Sequence, residues 1–269
     1  MRAALCAALK NGAAFDPNRL DRRDPELIAT ILPGLEFLNR HYFRLRIDGL
    51  ERLPREPALL VGNHNGGILG PDLAGTLGSL WRTLGVHAPL YALTHDFAMR
   101  RLLPLGRLVQ RLGGVRANRE NAERALQSGG QVLVYPGGDY DAFRHYRRRG
   151  EVVLGRRSGF VRLAQQLGVP IVPIVAQGAH RSAVIFHEGE ALTRWLGLDR
   201  WAQIKRFPLA LALPWGIAAG PMPYAPLPFP ILIRVLPPLR VAPSDDVDEA
   251  REHVRRQMQS ALVELGSAP

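Results

Sequence analysis

Cysteine and lysine are almost missing from this sequence. The single cysteine among 269 residues, Cys6, allows no disulfide within the chain and leaves too few thiolates for a zinc site. That composition fits a reducing compartment. Lysine occurs only as Lys10 and Lys205, so nearly all of the 35 basic residues are arginine.

Long apolar runs are missing as well. No stretch reaches the roughly 18 to 20 apolar residues that a membrane-spanning helix requires, although 46% of the residues are hydrophobic. Residues 1–15 begin like a signal peptide, but Lys10 and Asn11 interrupt a short apolar stretch and no clear cleavage pattern follows. We therefore expect a cytoplasmic protein whose association with the inner face of the cell membrane is peripheral.

Acidic residues are too few to balance the basic ones, and the formal net charge is +11. Such an excess favours an anionic partner, namely a nucleic acid, an anionic membrane surface or a phosphorylated substrate. No long basic helix, zinc module or aromatic RNA-binding strand is visible, which argues against nucleic acid. His41, His180 and His187 lack the mutual spacing of metal ligands, so we predict no metal site and read these histidines as structural or surface residues.

Short apolar stretches alternate with amphipathic segments along the chain. Strands are predicted at residues 43–47, 58–62, 89–93, 131–135, 170–176, 183–186 and 230–235. Helices are predicted at residues 71–84, 97–112, 119–129, 158–167 and 245–265. This alternation indicates crossover units, and hence an α/β fold: a single domain with a largely parallel sheet of about seven strands, flanked by helices.

Two further segments bear on the domain organisation. Residues 25–43 are predicted to form a helix pair broken at Pro33-Gly34, which either packs on the core, as we favour, or lies in a lipid interface. We therefore divide the chain into an N-terminal helical segment, 1–42, that is a candidate to face a membrane, and a main domain, 43–269. Residues 207–230 are apolar, rich in proline and nearly uncharged, so they either line the interior or contact lipid.

The stretch Gly62-Asn63-His64-Asn65-Gly66-Gly67 directly follows the predicted strand 58–62. Strand ends in open α/β sheets face the ligand crevice. Histidine has the side-chain pKa nearest to neutrality, so it can accept a proton at physiological pH. His64 is therefore a candidate catalytic base, and a polar loop residue bonded to nearby backbone is the alternative.

Four blocks now occur in a recognisable order: Asn63-His64, then residues 113–119 (GGVRANR), then Tyr135-Pro136-Gly137-Gly138, and finally residues 169–174 (VPIVPI). Together they resemble the glycerolipid (lysophospholipid) acyltransferase superfamily, which includes the 1-acylglycerol-3-phosphate acyltransferases. The resemblance covers residues 43 to 180. The Pro-Gly-Gly form of the third block is closest to the monoacylglycerol/diacylglycerol acyltransferase-like branch.

The resemblance implies that His64 is the general base. It would remove a proton from the acceptor hydroxyl, which then attacks an acyl thioester directly. The sequence agrees, because it has no Gly-x-Ser-x-Gly elbow and Cys6 lies far from every block, so a covalent acyl-enzyme has no obvious nucleophile. Backbone amides of a glycine-rich loop would stabilise the oxyanion. No cofactor is implied beyond the acyl donor itself, acyl-CoA or acyl-carrier protein.

In the family an aspartate five positions after the histidine orients the imidazole, but Leu69 occupies that position here. The next aspartate is Asp72, and the glycines and the proline before it allow the chain to fold back. Asp72 is therefore our first choice as the orienting residue. Two alternatives remain: Asp72 complements the dipole of the helix it begins, or His95-Asp96 supplies a substitute pair.

Several residues are implied to bind substrate. Arg119 stands where the second block carries an arginine that contacts the acceptor phosphate, and Arg116 is a weaker candidate for the same role. The alternative for both is a solvated surface charge. The third block reads Pro-Glu-Gly-Thr-Arg in the phospholipid enzymes. Here it contains Pro136-Gly137-Gly138 and lacks the glutamate and the adjacent arginine, while Asp141 matches an acid of the neutral-lipid branch.

Arg144, followed by three arginines at 147–149, would replace the positive charge that the third block has lost, unless the whole run is a solvated or lipid-facing loop. The resulting hypothesis is a peripheral membrane acyltransferase. It moves a fatty acyl group from acyl-CoA or acyl-carrier protein to a lysophospholipid, with 1-acylglycerol 3-phosphate as leading acceptor and a neutral mono- or diacylglycerol as runner-up. A non-catalytic lipid-binding module of the same fold remains open, because the aspartate spacing is altered.

Overall fold

The structure, a computed structural model, describes residues 15–65, 70–96, 98–99, 103–198, 206–220 and 224–267. The helices are α1 (Pro25–Phe37), α2 (Pro71–Leu84), α3 (Leu103–Arg111), α4 (Arg119–Gln127), α5 (Asp139–Ala142), α6 (Gly159–Leu167), α7 (Glu190–Trp195) and α8 (Val247–Ser267). The strands are β1 (Arg46–Asp48), β2 (Leu59–Gly62), β3 (Leu90–Thr94), β4 (Gly114–Arg116), β5 (Gln131–Val134), β6 (Ile171–Gln177), β7 (Val184–His187), β8 (Leu209–Ala212), β9 (Gly216–Ala219) and β10 (Leu232–Val235).

The main sheet has the strand order β1-β10-β6-β2-β5-β3-β4. The five strands β2 to β6 all run parallel to one another. Strand β10 is antiparallel to β6 and parallel to β1. The carboxyl ends of β2, β5 and β6 therefore share one edge with the beginnings of β10 and β1. This arrangement confirms the predicted α/β class with a largely parallel, seven-stranded sheet.

The central strands are apolar on both faces because helices cover both sides of the sheet. On one face Leu59, Val61 and Val132 pack against α4, α6 and α8. On the other face Leu60 and Leu133 pack against α1 and α2. Each of these fully buried side chains contributes about 1.5 to 3 kcal/mol relative to an exposed one, so the sheet is a rigid base for the loops at its edge.

A second, three-stranded sheet with the order β7-β8-β9 is antiparallel throughout. Its inner face packs Ile185 and Ala210 against Ala142 and Phe143, at the end of α5. On its outer face Leu211 and Ile217, which are register partners, are 55% and 74% exposed. Part of the apolar segment 207–230 thus lines the interior, and part of it is exposed.

Two local predictions were wrong. Helix α1 does not break at Pro33-Gly34 but continues to Phe37 and then into a π-helical turn, Leu38–Tyr42, because Ile31, Leu32 and Leu35 pack on the core along its length. The predicted strand 183–186 belongs to the small sheet. Its place in the main sheet is taken by β4, which has only three residues and so shows no periodicity in the sequence.

The N-terminal part of the described chain packs on the core through Leu27 and Ile28, while Phe37, Leu38 and Tyr42 at the end of its helical part are exposed. The domain division at residue 42 stays a prediction. None of the helices in the described ranges is long and apolar enough to cross a bilayer. Residues 1–14, Gly66, Gly67, Leu69, Lys205 and the beginning of the predicted helix 97–112 lie outside the described residues.

Candidate active site

His64 lies just beyond the end of β2, and the two asparagines that flank it fasten it to β6. The Asn63 side chain donates to the carbonyl of Ala176 (3.1 Å) and accepts from its amide (2.8 Å). The Asn65 side chain donates to the same carbonyl (2.6 Å) and accepts from the amide of His180 (2.9 Å). Both asparagines are fully buried. The backbone on either side of His64 is therefore tied to the neighbouring strand.

Two buried carboxylates hold two successive peptide amides of this segment. The amide of His64 donates to Oδ2 of Asp141 (2.5 Å), and the amide of Asn65 donates to Oδ2 of Asp72 (3.1 Å). Asp141 comes from α5 and Asp72 from α2, so elements distant in sequence fix the same turn of backbone. A hydrogen bond to an ionised carboxylate is roughly twice as strong as a neutral one, whereas the burial of both carboxyl groups opposes their ionisation.

The imidazole of His64 stacks on the ring of Tyr135, with centroids 4.3 Å apart and planes 21° apart. The ring of Tyr135 in turn fills the space beside Gly62, where an added Cβ would lie 2.5 Å from it. Burial, together with the positive charge of Arg144, lowers the pKa of His64 to about 4. The ring is therefore neutral at pH 7 and available as a proton acceptor.

Arg144 and Asp141 form an ion pair that is completely buried. The Arg144 guanidinium also donates to the carbonyl of Arg149 (3.4 Å), and its Nε has no partner among the described residues. Burial raises the pKa of Asp141 to about 7, and the charge of Arg144 and the amide of His64 oppose that rise. Arg144 thus lies beside the imidazole in the interior, whereas the following arginines, 147–149, are exposed.

Neither candidate for orienting the imidazole bonds to it within the described part of the chain. The carboxylate of Asp72 holds the amide of Asn65, and its Oδ1 has no partner there. Burial raises the pKa of Asp72 to about 7. Asp96 instead accepts from the Arg116 guanidinium (2.7 Å). That Asp72 orients the imidazole stays a prediction. The hydrogen bond that Asp72 makes in the structure is with the amide of Asn65, the residue after His64.

The arginines predicted to bind phosphate lie at and just after the end of β4, the edge strand of the main sheet. Strands β5 and β3 separate β4 from β2, the strand that His64 follows. Arg116 ends β4 and is paired with Asp96, while Arg119 begins α4, is exposed and bonds to the side chain of Gln166 on α6. The structure shows neither of them in contact with His64 or Asp141. Their contacts with substrate stay predictions.

The two glycines of the third block are required by close packing. An added Cβ on Gly137 would collide with the carbonyl of Val153, and one on Gly138 would collide with Arg157. Gly138 also has φ +52°, a conformation that glycine adopts without steric penalty, and its amide donates to the carbonyl of Tyr135 (3.1 Å). These glycines shape the turn that brings Asp141 to His64; that they bind substrate stays a prediction.

Sequence reasoning missed the supporting residues Asn63, Asn65, Tyr135 and His180. The polar residues on both sides of His64, directly after an apolar strand, were a usable signal, because buried amides need defined partners. A second signal was the spacing of Asp141 and Arg144: opposite charges three positions apart can form an ion pair. In the described ranges no group of three or more His, Cys, Asp or Glu residues is arranged to hold a metal ion.

Comparison with known proteins decides the family. The family model described as "Acyltransferase" matches residues 44–177, a range that contains His64, Asp72 and Asp141. The chain belongs to this acyltransferase family. The resemblance to glycerolipid acyltransferases inferred from the four blocks is thereby confirmed.

Relatives of this acyltransferase occur in bacteria and plants. An uncharacterized protein of Mycobacterium bovis is 28% identical over 251 residues, which cover 90% of this chain and 67% of that protein. Phytyl ester synthase 2 of Arabidopsis thaliana is 32% identical over 172 residues, which cover 61% of this chain and 22% of that protein. The matched part is therefore a small share of the plant protein.

A solved structure shares the fold. The 1-acyl-sn-glycerophosphate (LPA) acyltransferase PlsC of Thermotoga maritima superposes with a TM-score of 0.56 at 19% identity. The superposition covers 92% of this acyltransferase and 85% of the other chain. It confirms the predicted fold.

Proposed function

We propose that this acyltransferase moves a fatty acyl group from acyl-CoA or acyl-carrier protein to the free hydroxyl of a lysophospholipid. The leading acceptor is 1-acylglycerol 3-phosphate, and the product is then phosphatidic acid. The observation that carries the proposal is the neutral imidazole of His64, held at the carboxyl edge of the sheet by amides bonded to Asp141 and Asp72. The acceptor is suggested by the activity named for the Thermotoga protein that shares the fold.

His64 acts as the general base in this proposal. Its free ring nitrogen accepts the proton of the acceptor hydroxyl while the oxygen attacks the thioester carbonyl carbon. The resulting tetrahedral oxyanion collapses, the C–S bond breaks, and the thiolate leaves with the proton returned by the imidazolium. No bond forms between enzyme and acyl group, so donor and acceptor are bound together when the reaction occurs.

The surroundings of His64 suit that role. Burial and the charge of Arg144 disfavour the imidazolium, so the base is present in its accepting form over the physiological pH range. The stacking on Tyr135 and the two bonded amides restrict the ring to a narrow range of positions, which reduces the entropy lost in reaching the reactive geometry.

A second acceptor class, neutral mono- or diacylglycerol, is favoured by two specific observations. The third block lacks the glutamate and arginine of the phospholipid pattern, and Arg144 is paired with Asp141 in the interior. In addition, the name of the Arabidopsis relative describes an ester synthase for phytyl esters, and phytol is an uncharged alcohol. Both acceptor classes use the same base and the same bond changes.

We propose that the enzyme works at the cytoplasmic surface of an anionic membrane. The exposed Leu211 and Ile217 of the small sheet supply an apolar contact, and the net charge of +11 favours anionic lipid. The segment 225–228 connects this face to the N-terminal helical part, since Ala225 pairs with Leu213 and the Tyr42 hydroxyl donates to the carbonyl of Pro226 (2.9 Å). Large exposed apolar patches are typical of surfaces that bind membranes or other proteins.

The activity is tested with purified protein, labelled acyl-CoA and labelled acyl-carrier protein as donors, and both acceptor classes presented in lipid vesicles. We expect turnover with 1-acylglycerol 3-phosphate, and a loss of roughly 10²- to 10⁴-fold in His64→Ala with the circular dichroism spectrum unchanged. His87→Ala, at an exposed position, is the matched control and retains activity. Inactivity of the wild type toward every acceptor would overturn the proposal, and preference for the neutral acceptors would select the second class.

A separate measurement tests the absence of a covalent intermediate. The protein is mixed with acyl-CoA alone, and its intact mass is recorded at times up to many turnovers. The proposed direct transfer leaves the mass unchanged. A stable increase by one acyl group contradicts it.

A further inference from the structure

A cleft of about 370 Å³ opens at the carboxyl edge of the sheet, directly beside Asn65. This volume falls in the range of small-molecule sites. Its charged lining consists of Arg44 and Arg46 at the beginning of β1, Arg149 after α5 and Arg181 after β6. Because Asn65 follows His64 in the chain, the cleft lies one residue from the proposed base, and consecutive Cα atoms are only about 3.8 Å apart.

The four arginines of the cleft have no carboxylate partner in the described ranges. Arg44 donates to the carbonyl of Pro228 (2.7 Å), and Arg149 donates to the carbonyl of Tyr146 (3.2 Å) and lies over its ring. Elsewhere in the described chain many arginines are paired with an acid, for example Arg111 with Asp24 and Arg234 with Asp48.

No aspartate or glutamate lines the cleft among the described residues. Four like charges around one concavity repel one another and create a strongly positive potential inside it. An anion in the cleft would relieve that repulsion.

His180 adds an independent sign of a ligand. It lines the cleft, only 2% of its surface is exposed, and its amide is fixed by the side chain of Asn65. Its Nε2 has no partner within the described part of the chain. Burial and the charges of Arg144 and Arg149 lower the pKa of His180 well below its ordinary value, so the ring is neutral. Buried polar atoms without a partner are rare, and a ligand oxygen would satisfy this one.

The backbone of Arg44 is also unusual. Its φ is +46°, in the left-handed region that non-glycine residues seldom occupy. Such a conformation is unfavourable and persists where the surrounding structure enforces it, often at ligand sites. At this position it directs the chain into β1 with Arg44 and Arg46 both on the cleft.

We propose that this cleft binds the phosphate groups of a substrate through Arg44, Arg46, Arg149 and Arg181. Planar guanidinium groups donate two parallel hydrogen bonds to phosphate oxygens, which suits arginine to this ligand better than lysine. The identity of the substrate rests on the proposed function: the phosphate belongs either to the acceptor headgroup or to the nucleotide part of acyl-CoA. Binding itself does not depend on turnover.

Isothermal titration calorimetry with two probes separates these sources. Glycerol 3-phosphate represents the acceptor headgroup, and adenosine 3′,5′-bisphosphate represents the donor nucleotide. Arg46→Gln and Arg181→Gln remove one charge each from the cleft, at exposed side chains whose loss leaves the core intact. Arg55→Gln and Arg162→Gln remove one exposed charge outside it and are the matched controls.

We expect each cleft variant to weaken binding of one probe about tenfold or more, a change of about 1.4 kcal/mol, and the controls to change it less than twofold. Weakening for glycerol 3-phosphate assigns the cleft to the acceptor, and weakening for the bisphosphate assigns it to the donor. Unchanged binding in the cleft variants, or equal losses in the controls, would overturn the proposal. His64→Ala should bind both probes normally, so a protein without acyltransferase activity could still confirm the cleft.

Kinetics provide a second readout in the active enzyme. The same cleft variants should raise KM for the substrate that carries the phosphate and leave kcat close to its wild-type value, because the base and its supports are untouched. A fall in kcat with unchanged KM for both substrates would count against a binding role.

Discussion

The peptide amide of His64 donates a hydrogen bond of 2.5 Å to Asp141, a residue 77 positions later in the chain. The acceptor carboxylate is itself paired with the buried Arg144. The position of the proposed base is thus determined by a group on a different loop. Substitutions at Asp141 should therefore affect the reaction without touching the imidazole directly.

Asp141→Asn should lower kcat more than it raises KM, because the His64 amide loses a charged acceptor and the ring becomes less well placed. Stability should also fall, by about 3 to 5 kcal/mol, since Arg144 is left buried without a counter-charge. Urea unfolding and steady-state kinetics measure the two effects. In this prediction Asp141 is a positioning residue.

The double variant Asp141→Asn with Arg144→Met separates the two effects. It removes the unpaired charge, so most of the stability should return, whereas kcat should stay low because the amide of His64 still lacks its carboxylate. Full recovery of kcat together with stability would show that Asp141 serves the fold alone.

Gly62→Ala should reduce kcat strongly. The added methyl group would lie 2.5 Å from the ring of Tyr135, so that ring must move, and the imidazole stacked on it must move as well. Gly34→Ala is the matched control: it lies in α1 with open space around the added Cβ, and it should stabilise the protein by up to about 1 kcal/mol. Equal kcat values for the two variants would contradict the stacking argument.

The pH dependence of kcat/KM should report the lowered pKa of His64. With a pKa of about 4, the base remains neutral down to about pH 5, so in Asp141→Asn, which removes the neighbouring carboxyl group whose pKa is about 7, kcat/KM should stay constant down to that pH. Below pH 4 it should fall about tenfold per pH unit as the ring is protonated. Short assays after a pH jump avoid acid unfolding. An acidic limb centred near 6.5, the ordinary value for histidine, would show that the ring is solvated in the free enzyme.

Asp72→Asn should stabilise the protein more at pH 8 than at pH 5. The pKa of Asp72 is raised from 3.8 to about 7 in the folded protein, so its contribution to stability is fully present below pH 3.8 and is lost as the pH rises through 7. Asparagine stays neutral and does not lose it. Each pH unit of that interval corresponds to about 1.4 kcal/mol, so the difference should be visible in thermal unfolding.

Asp24→Asn is the contrasting variant for that measurement. Burial alone would raise the pKa of Asp24, but the bonds from Arg111 and the amide of Leu27 hold it below its ordinary value. Its stabilisation is therefore present above pH 3.8 and is lost only as the pH falls through the lowered pKa. Asp24→Asn should destabilise the protein equally at pH 5 and pH 8. A gain at pH 8 in both variants would indicate a general charge effect instead.

Leu211→Ser combined with Ile217→Ser should weaken binding to vesicles that contain anionic lipid. Each side chain contributes up to about 1.5 to 3 kcal/mol when its exposed surface enters the bilayer interface, so the pair should shift the partition constant by tenfold or more in a sedimentation assay. Val263→Ser removes an equally exposed apolar side chain from α8 and should leave binding unchanged. Identical losses in both proteins would locate the membrane surface elsewhere.

The sheet and the position of the proposed base, His64, could be predicted from the sequence because both depend on local patterns. The apolar strands β2, β5 and β6 are bounded by glycine and proline, and their parallel order follows from the helices between them. His64 and the Pro136-Gly137-Gly138 block follow neighbouring strands, so their meeting at one edge could be expected. The shared fold confirms the predicted sheet, whereas the role of His64 as the base stays a prediction.

Long-range burial was beyond sequence reasoning. Arg144 stands next to a run of exposed arginines and has the same chemistry, and only the fold of α5 places it inside with Asp141. The cleft was hidden for a related reason. Arg44 and Arg46 are more than 100 residues away from Arg149 and Arg181 in the sequence. They meet because β1 and β10 begin at the edge of the sheet where β6 ends.

The small sheet rests on Ala142 and Phe143, and these residues directly follow the carboxylate that holds the amide of His64. A shift of that sheet would therefore reach Asp141, and through it the amide of His64, over one or two residues. An enzyme built in this way should run faster on a bilayer than on dispersed substrate, since contact with its own substrate phase would tune the geometry of its catalytic group.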